Sequence, residues 1–76
     1  MAKQAATGSQ SALREANSAR ILETVRRFGG ITQVELAEVT GLSPATVSTI
    51  IKQLLASGVV ETRNTIRSGR RAQLVT

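Results

Sequence analysis

The sequence QVELAEVTGLSPATVSTIIK, residues 33–52, reads as two short helices joined by a tight turn. Thr32 stands before the first helix and Glu35 follows three residues later, which is the spacing of a capping box. Gly41 tolerates the left-handed conformation that ends a helix sharply. Ser43 is then in place to cap a second helix. These residues predict a helix, a sharp turn and a second helix in immediate succession.

The apolar residues of the same stretch recur at the spacing of helix faces. Val47, Ile50, Ile51 and Leu54 fall on one face of the second helix, at intervals of three and four residues. The small side chain of Ala37 leaves room for the two helices to cross closely. Two crossed helices joined by a short turn are the layout of a helix-turn-helix. An ordinary helical hairpin is the alternative for this stretch alone, so the flanking sequence matters.

The flanking sequence predicts a helix before the motif and a β-hairpin after it. Residues 11–28 carry apolar side chains at helical spacing, and Gly29 follows to end that helix. The second motif helix is expected over residues 44–57. Residues 59–63 and 72–76 are rich in β-branched side chains, and the segment between them is polar and basic. The sequence thus predicts a mainly α fold with a small β-hairpin, a winged helix-turn-helix made of a three-helix bundle plus a wing.

The first ten residues differ in composition from the rest. They read MAKQAATGSQ, which is small and polar, and we expect residues 1–10 to form a disordered arm. Residues 11–76 are expected to form one domain. The chain ends on a predicted strand, so we expect it to be one domain of a longer protein.

The charge and the missing residue types narrow the function. Ten Lys and Arg against five Asp and Glu give a net charge of +5, which favours an acidic partner such as nucleic acid. The sequence has no His and no Cys, which excludes thiol chemistry, His-based catalysis and most zinc sites. We predict no enzymatic activity, no cofactor and no metal. No apolar run reaches the length of a membrane helix, and the absence of Cys fits a reducing, cytoplasmic location.

The outer face of the second motif helix supplies candidate DNA contacts. A helix of this kind enters the major groove with the face opposite its core. Ser and Thr hydroxyls can bond base edges, Ala and Thr methyl groups can meet thymine methyl groups, and Lys52 is better placed for a phosphate. The alternative is a merely solvated Ser/Thr face. The candidate residues are Ser43, Ala45, Thr46, Ser48, Thr49, Lys52 and Gln53.

The predicted wing concentrates positive charge, with Glu61 as its one acid. Arginine binds phosphate through two parallel hydrogen bonds and also enters narrow minor grooves. A glycine at the tip lets the backbone approach DNA closely. A soluble hairpin tip is the alternative, and it fits less well because the charges share one sign. The candidate wing residues are Arg63, Arg67, Ser68, Gly69, Arg70 and Arg71.

Three blocks resemble the N-terminal DNA-binding domain of the ROK family of transcriptional regulators, which includes xylose and N-acetylglucosamine repressors. They are LREANSARIL (13–22), ITQVELAEVTGLSPATVSTIIKQLLASGVV (31–60) and SGRRAQL (68–74). Two positions depart from the family pattern: Ala72 replaces a common Pro, and Thr49 replaces a longer basic residue.

The resemblance implies the operator-binding domain of a bacterial repressor of sugar-use genes. The helix would bind the major groove of double-stranded DNA, and the wing would bind the backbone or the minor groove. A C-terminal sugar-sensing domain is expected outside this chain, and the full-length protein is expected to be a homo-oligomer through it. The isolated domain is then a monomer or a weak dimer. Alternatives are a MarR-like winged-helix regulator and a winged helix that serves as a protein-interaction or RNA-binding module.

Overall fold

The computed structural model describes the backbone of residues 2–76 and the side chains of residues 11–76. These residues form three helices and one antiparallel sheet of three strands, in which the last strand of the chain lies between the other two. The predicted three-helix bundle with a wing is confirmed. In chain order, the elements are α1 (Ala2–Phe28), β1 (Ile31–Thr32), α2 (Gln33–Thr40), α3 (Pro44–Ala56), β2 (Thr62–Arg67) and β3 (Arg70–Val75).

The capping residues of the motif lie where the sequence predicts them. The Thr32 hydroxyl accepts the backbone N–H of Glu35 at 3.2 Å, and the Glu35 carboxylate accepts the backbone N–H of Thr32 at 3.0 Å. This reciprocal pair is the capping box of α2. The Ser43 hydroxyl accepts the N–H of Thr46 at 3.1 Å and so caps α3, directly before Pro44. The predicted helix-turn-helix is therefore confirmed in its local chemistry.

Gly41→Ala is expected to lower the free energy of unfolding by about 1–2 kcal/mol. Gly41 has φ 75°, and a Cβ built there meets no atom within 4 Å, so the cost is one of backbone conformation and not of a clash. Denaturant titration of the variant measures the loss. Gly41→Asn is the control, because asparagine tolerates the left-handed region better. Equal losses for the two variants would contradict this explanation.

The hydrophobic core lies between the three helices and the base of the sheet. Leu22, Ala37, Leu42 and Leu54 are partly buried against it. Its buried members are Ile21, Val25, Ile31, Leu36, Val47, Ile50, Ile51, Val60 and Val75.

Two apolar residues at helical spacing do not join the core. Phe28 is 52% exposed and Val39 is 53% exposed, although each continues the apolar stripe of its helix. Both lie in the final turn of a helix, and Val39 lines a shallow surface groove with Arg20 and Arg27 of α1. The spacing of apolar residues shows which face of a helix is apolar. It does not show where along the helix other elements stop covering that face.

The wing is longer and its turn is tighter than the sequence predicts. The predicted strands over 59–63 and 72–76 are corrected to Thr62–Arg67 and Arg70–Val75, so the turn is only Ser68 and Gly69. Both turn residues have positive φ, 53° and 77°, as a two-residue turn matched to the twist of a hairpin requires. The sequence predicts that Arg67, Arg70 and Arg71 lie in an open loop at the tip. In the structure these residues belong to the two paired strands.

The first helix also begins earlier than predicted. Helix α1 starts at Ala2, whereas the sequence predicts a disordered arm over residues 1–10 and a helix from residue 11. Alanine, lysine and glutamine are good helix formers, so this stretch contains little that stops a helix except Gly8. The side chains of residues 1–10 lie outside the described residues.

Candidate nucleic-acid interface

Helix α3 presents a polar outer face opposite its buried stripe. Ala45, Thr49 and Lys52 are exposed on it, and Gln53 is exposed at its edge. The hydroxyl of Ser43 donates to the hydroxyl of Thr46 at 2.9 Å in addition to capping the helix. The N-terminal hydroxyl groups of α3 are therefore held in a fixed arrangement by their own cap.

The two sides of α3 face different helices. Ser48 lies on the side of α2, in a shallow groove that Gln33, Val34 and Glu38 also line. The other side faces the middle of α1 across a second groove. That second groove is lined by Leu13, Arg14, Asn17, Ala45, Thr46, Thr49, Ile50 and Gln53. Periodicity predicts the outer face of α3, but the identity of its two neighbours comes from the fold.

Sequence reasoning missed the residues that these neighbours contribute, Arg14 and Asn17 of α1 and Gln33 of α2. One signal was available for α1. Asn17 lies four residues before the fully buried Ile21, so it continues the buried stripe as a polar residue. A polar residue at such a position indicates that the helix has left the apolar core.

The wing divides its arginines between two faces. Arg67 pairs directly with Arg70, and Ile66 pairs with Arg71. Since neighbouring residues of a strand point to opposite faces, Arg63, Arg67 and Arg70 share one face and Arg71 lies on the other. All four arginines are exposed, as are Ser68 and Gly69 of the turn. The sequence groups these charges at one tip, whereas the strand register separates them.

One wing arginine has an acidic neighbour. Arg67 lies 3.7 Å from Glu35, measured from Nη2 to Oε1, and the two side chains are 48% and 39% exposed. Glu35 thus interacts with Thr32 at the start of α2 and with the wing at the same time. Exposed ion pairs contribute little to stability, so the consequence of this contact is to hold Arg67 toward α2.

Glu35→Gln is expected to reduce the acid sensitivity of the domain. The hydrogen bond from the Thr32 backbone, with help from Arg67, lowers the pKa of Glu35 below its ordinary value. A carboxyl whose pKa is lowered by folding stabilises the protein above its unfolded pKa, and this stabilisation is lost as the pH falls through the folded pKa. Glutamine keeps the capping box without the charge. The parent should therefore melt at a higher temperature than Glu35→Gln at neutral pH, and the difference should shrink and disappear as the pH falls through the lowered pKa of Glu35.

The matched control is Glu38→Gln, which removes the same charge from the same helix. Glu38 has no ion pair within the described side chains, so at neutral pH its removal should change the melting temperature less than the removal of the Glu35 charge. A difference in melting temperature between the parent and Glu35→Gln that does not shrink as the pH is lowered would contradict the assignment.

None of the helices in the described part of the chain is long and apolar enough to cross a membrane. Nor do three or more Glu side chains of residues 11–76 gather into a group that could hold a metal ion.

Comparison with known proteins agrees with this geometry. A family model described as winged helix-turn-helix DNA-binding matches residues 14–61. The chain is 31% identical over 71 residues to the DNA-binding transcriptional dual regulator NagC of Escherichia coli (strain K12), and equally so to the N-acetylglucosamine repressors of Escherichia coli O157:H7 and Shigella flexneri. Each match covers 91% of this chain and 18% of the relative, so the chain spans about a fifth of the length of these curated relatives.

These relatives confirm the predicted resemblance to the ROK regulators, in which the N-acetylglucosamine repressors are included. The crossed helices α2 and α3, the hairpin that follows them and the match over residues 14–61 lead to one conclusion. The chain belongs to the winged helix-turn-helix DNA-binding family.

Proposed function

We propose that this domain binds double-stranded DNA sequence-specifically as the operator-binding part of a bacterial transcriptional repressor of sugar-use genes. The observation that carries the proposal is the exposed, uncharged polar N-terminal half of α3, combined with a basic wing on the same small domain. An interaction helix for another protein would be expected to expose an apolar face instead.

The N-terminal half of α3 is suited to reading bases. Ala45 and Thr49 are exposed in its first two turns, where a recognition helix meets base edges in the major groove. Thr49 offers both a hydroxyl and a methyl group, so it can bond a base or contact a thymine methyl. Lys52 is one turn further along and is assigned to a phosphate. The side chains Ser43, Thr46, Ser48 and Gln53 complete the proposed reading surface.

The wing is suited to binding the phosphate backbone or the minor groove. Arg67 and Arg70 are directly opposite each other in the hairpin, where two like charges are destabilising. A phosphate between them would relieve this repulsion and could accept bonds from both guanidinium groups. Arg71 is free to contact DNA from the other face, and Arg63 lies nearer the base of the wing.

The proposed biological role rests on the relatives. Three of them are named N-acetylglucosamine repressors. We assign this domain to the same type of regulator, with a sugar-sensing domain outside this chain that also makes the full-length protein a homo-oligomer. The isolated domain is then a monomer or a weak dimer, and the protein acts in the cytoplasm without enzymatic activity in this domain.

Selection of bound duplexes from a random DNA pool tests this function, followed by competition with scrambled DNA and with RNA of the same sequence. We expect a preferred duplex that outcompetes both. Thr49→Ala should relax the preference at one or two positions, at about 1–3 kcal/mol for a good contact. Thr62→Ala is the matched control, because Thr62 is exposed but lies on β2, away from α3. RNA bound as tightly as the duplex, or an absence of sequence preference, would overturn the proposal.

A further inference from the structure

The groove between α1 and α3 is lined by a basic residue, Arg14, that belongs neither to the wing nor to the recognition helix. Arg14 and Asn17 of α1 line it together with Thr46, Thr49 and Gln53 of α3. Arg14 lies seven residues before Ile21, which is fully buried, so it is on the side of α1 that faces the rest of the domain. A basic side chain therefore lies beside the proposed reading surface.

The dimensions of DNA determine what such a position meets. The major groove is about 12 Å wide, and an α-helix with its side chains is about 10–12 Å across. A recognition helix therefore fills the groove, and elements that flank it lie over the two sugar–phosphate strands. The two elements that flank α3 are α2, at Gln33, and α1, at Arg14.

The arginines of α1 differ in the partners that their guanidinium groups contact. Arg20 donates to the carbonyl oxygen of Thr40 at 3.2 Å, and Arg27 pairs with Glu23 at 3.0 Å. Among the side chains of residues 11–76, Arg14 has no carboxylate within 4.0 Å. Its guanidinium is exposed, and among residues 11–76 it has no ion pair to exchange before it binds a phosphate.

We propose that Arg14 of α1 is a third DNA-contacting element, which binds a backbone phosphate on the side of the major groove next to Thr46 and Gln53. Asn17, half-buried beside it, supplies a neutral amide to the same strand. This inference rests on the proposed binding of duplex DNA. It adds a contact that does not depend on base sequence, because a phosphate is present at every position of the duplex.

The test is a salt titration of duplex binding by the 76-residue chain, its Arg14→Gln variant and its Arg26→Gln variant. Glutamine matches arginine closely in helix propensity. Arg26 is exposed on the same helix, also has no ion pair among residues 11–76, and lies about 18 Å further along the helix axis. The two variants therefore lose the same charge at different places.

We expect Arg14→Gln to reduce the slope of log K against log salt by about 0.9, on both the selected and a random duplex. Between 50 and 200 mM salt, the affinity should then fall about threefold less than for the parent. Arg26→Gln should leave the slope unchanged, and Arg14→Lys should restore it. All variants should keep the parent melting temperature.

The two possible failures are distinguishable. A parent chain that binds no duplex at any salt concentration would refute the proposed function itself. A parent that binds with a steep salt dependence, together with equal slopes for Arg14→Gln and Arg26→Gln, would overturn only the role of Arg14.

Discussion

Val47→Asp is expected to unfold the domain and not merely to weaken its DNA binding. Val47 is 0% exposed and belongs to the same core as Leu36 of α2 and Ile21 of α1. An unpaired carboxylate there costs several kcal/mol, which is comparable to the whole stability of a domain of this size. The buried polar residues of the described core, Thr24 and Thr32, both bond to backbone atoms, so the core has no free group to pair with an aspartate. Circular dichroism during a thermal melt measures the effect.

Thr49→Asp is the matched control on the same helix. Thr49 is exposed and lies two residues from Val47, so this variant should melt cooperatively near the parent temperature. It should nevertheless lose duplex binding, since a carboxylate would then face the phosphate-lined groove. A cooperative melt of Val47→Asp near the parent temperature would show that the assignment of Val47 to the core is wrong.

Replacement of both Arg70 and Arg71 by alanine is expected to weaken binding to every duplex. Each phosphate contact contributes about 0.9 to the slope of log K against log salt, so the slope should fall by up to about 2. Between 50 and 200 mM salt, the loss of affinity of the variant would then be smaller than that of the parent by about tenfold. If the wing enters the minor groove, a preference for A·T-rich flanks should disappear in the same variant.

The structure makes the single variants informative. Arg70 and Arg71 are neighbours in β3 and therefore lie on opposite faces of the hairpin. A wing that inserts its tip into the minor groove uses both residues, and the two single variants should reduce the slope equally. A wing that docks with one face uses one residue, and one single variant should account for the whole effect.

The control for the double variant is Arg26→Ala with Arg27→Ala, which removes the same charge from the C-terminal turn of α1. These two residues lie outside the grooves that flank α3, so the salt dependence should stay that of the parent. If Arg70→Ala/Arg71→Ala also leaves the slope unchanged, the wing does not touch DNA.

The sequence by itself determined the features whose physical cause is local. The capping box of Thr32 and Glu35, the left-handed Gly41 and the cap at Ser43 each depend on atoms within three or four residues. The buried stripe and the polar outer face of α3 follow from the period of a helix, which is also local. These features were sufficient to predict the helix-turn-helix and the outward position of Thr49.

Only the tertiary structure decided the features that join distant parts of the chain. The pairing of Arg67 with Arg70 depends on the register of two strands, and the contact of Arg67 with Glu35 joins residues 32 positions apart. The groove that brings Arg14 beside α3 depends on how α1 crosses that helix. Spacing in a sequence specifies which face of an element is apolar. It does not specify which other element covers that face or where the cover ends, because these depend on the packing of all the elements at once.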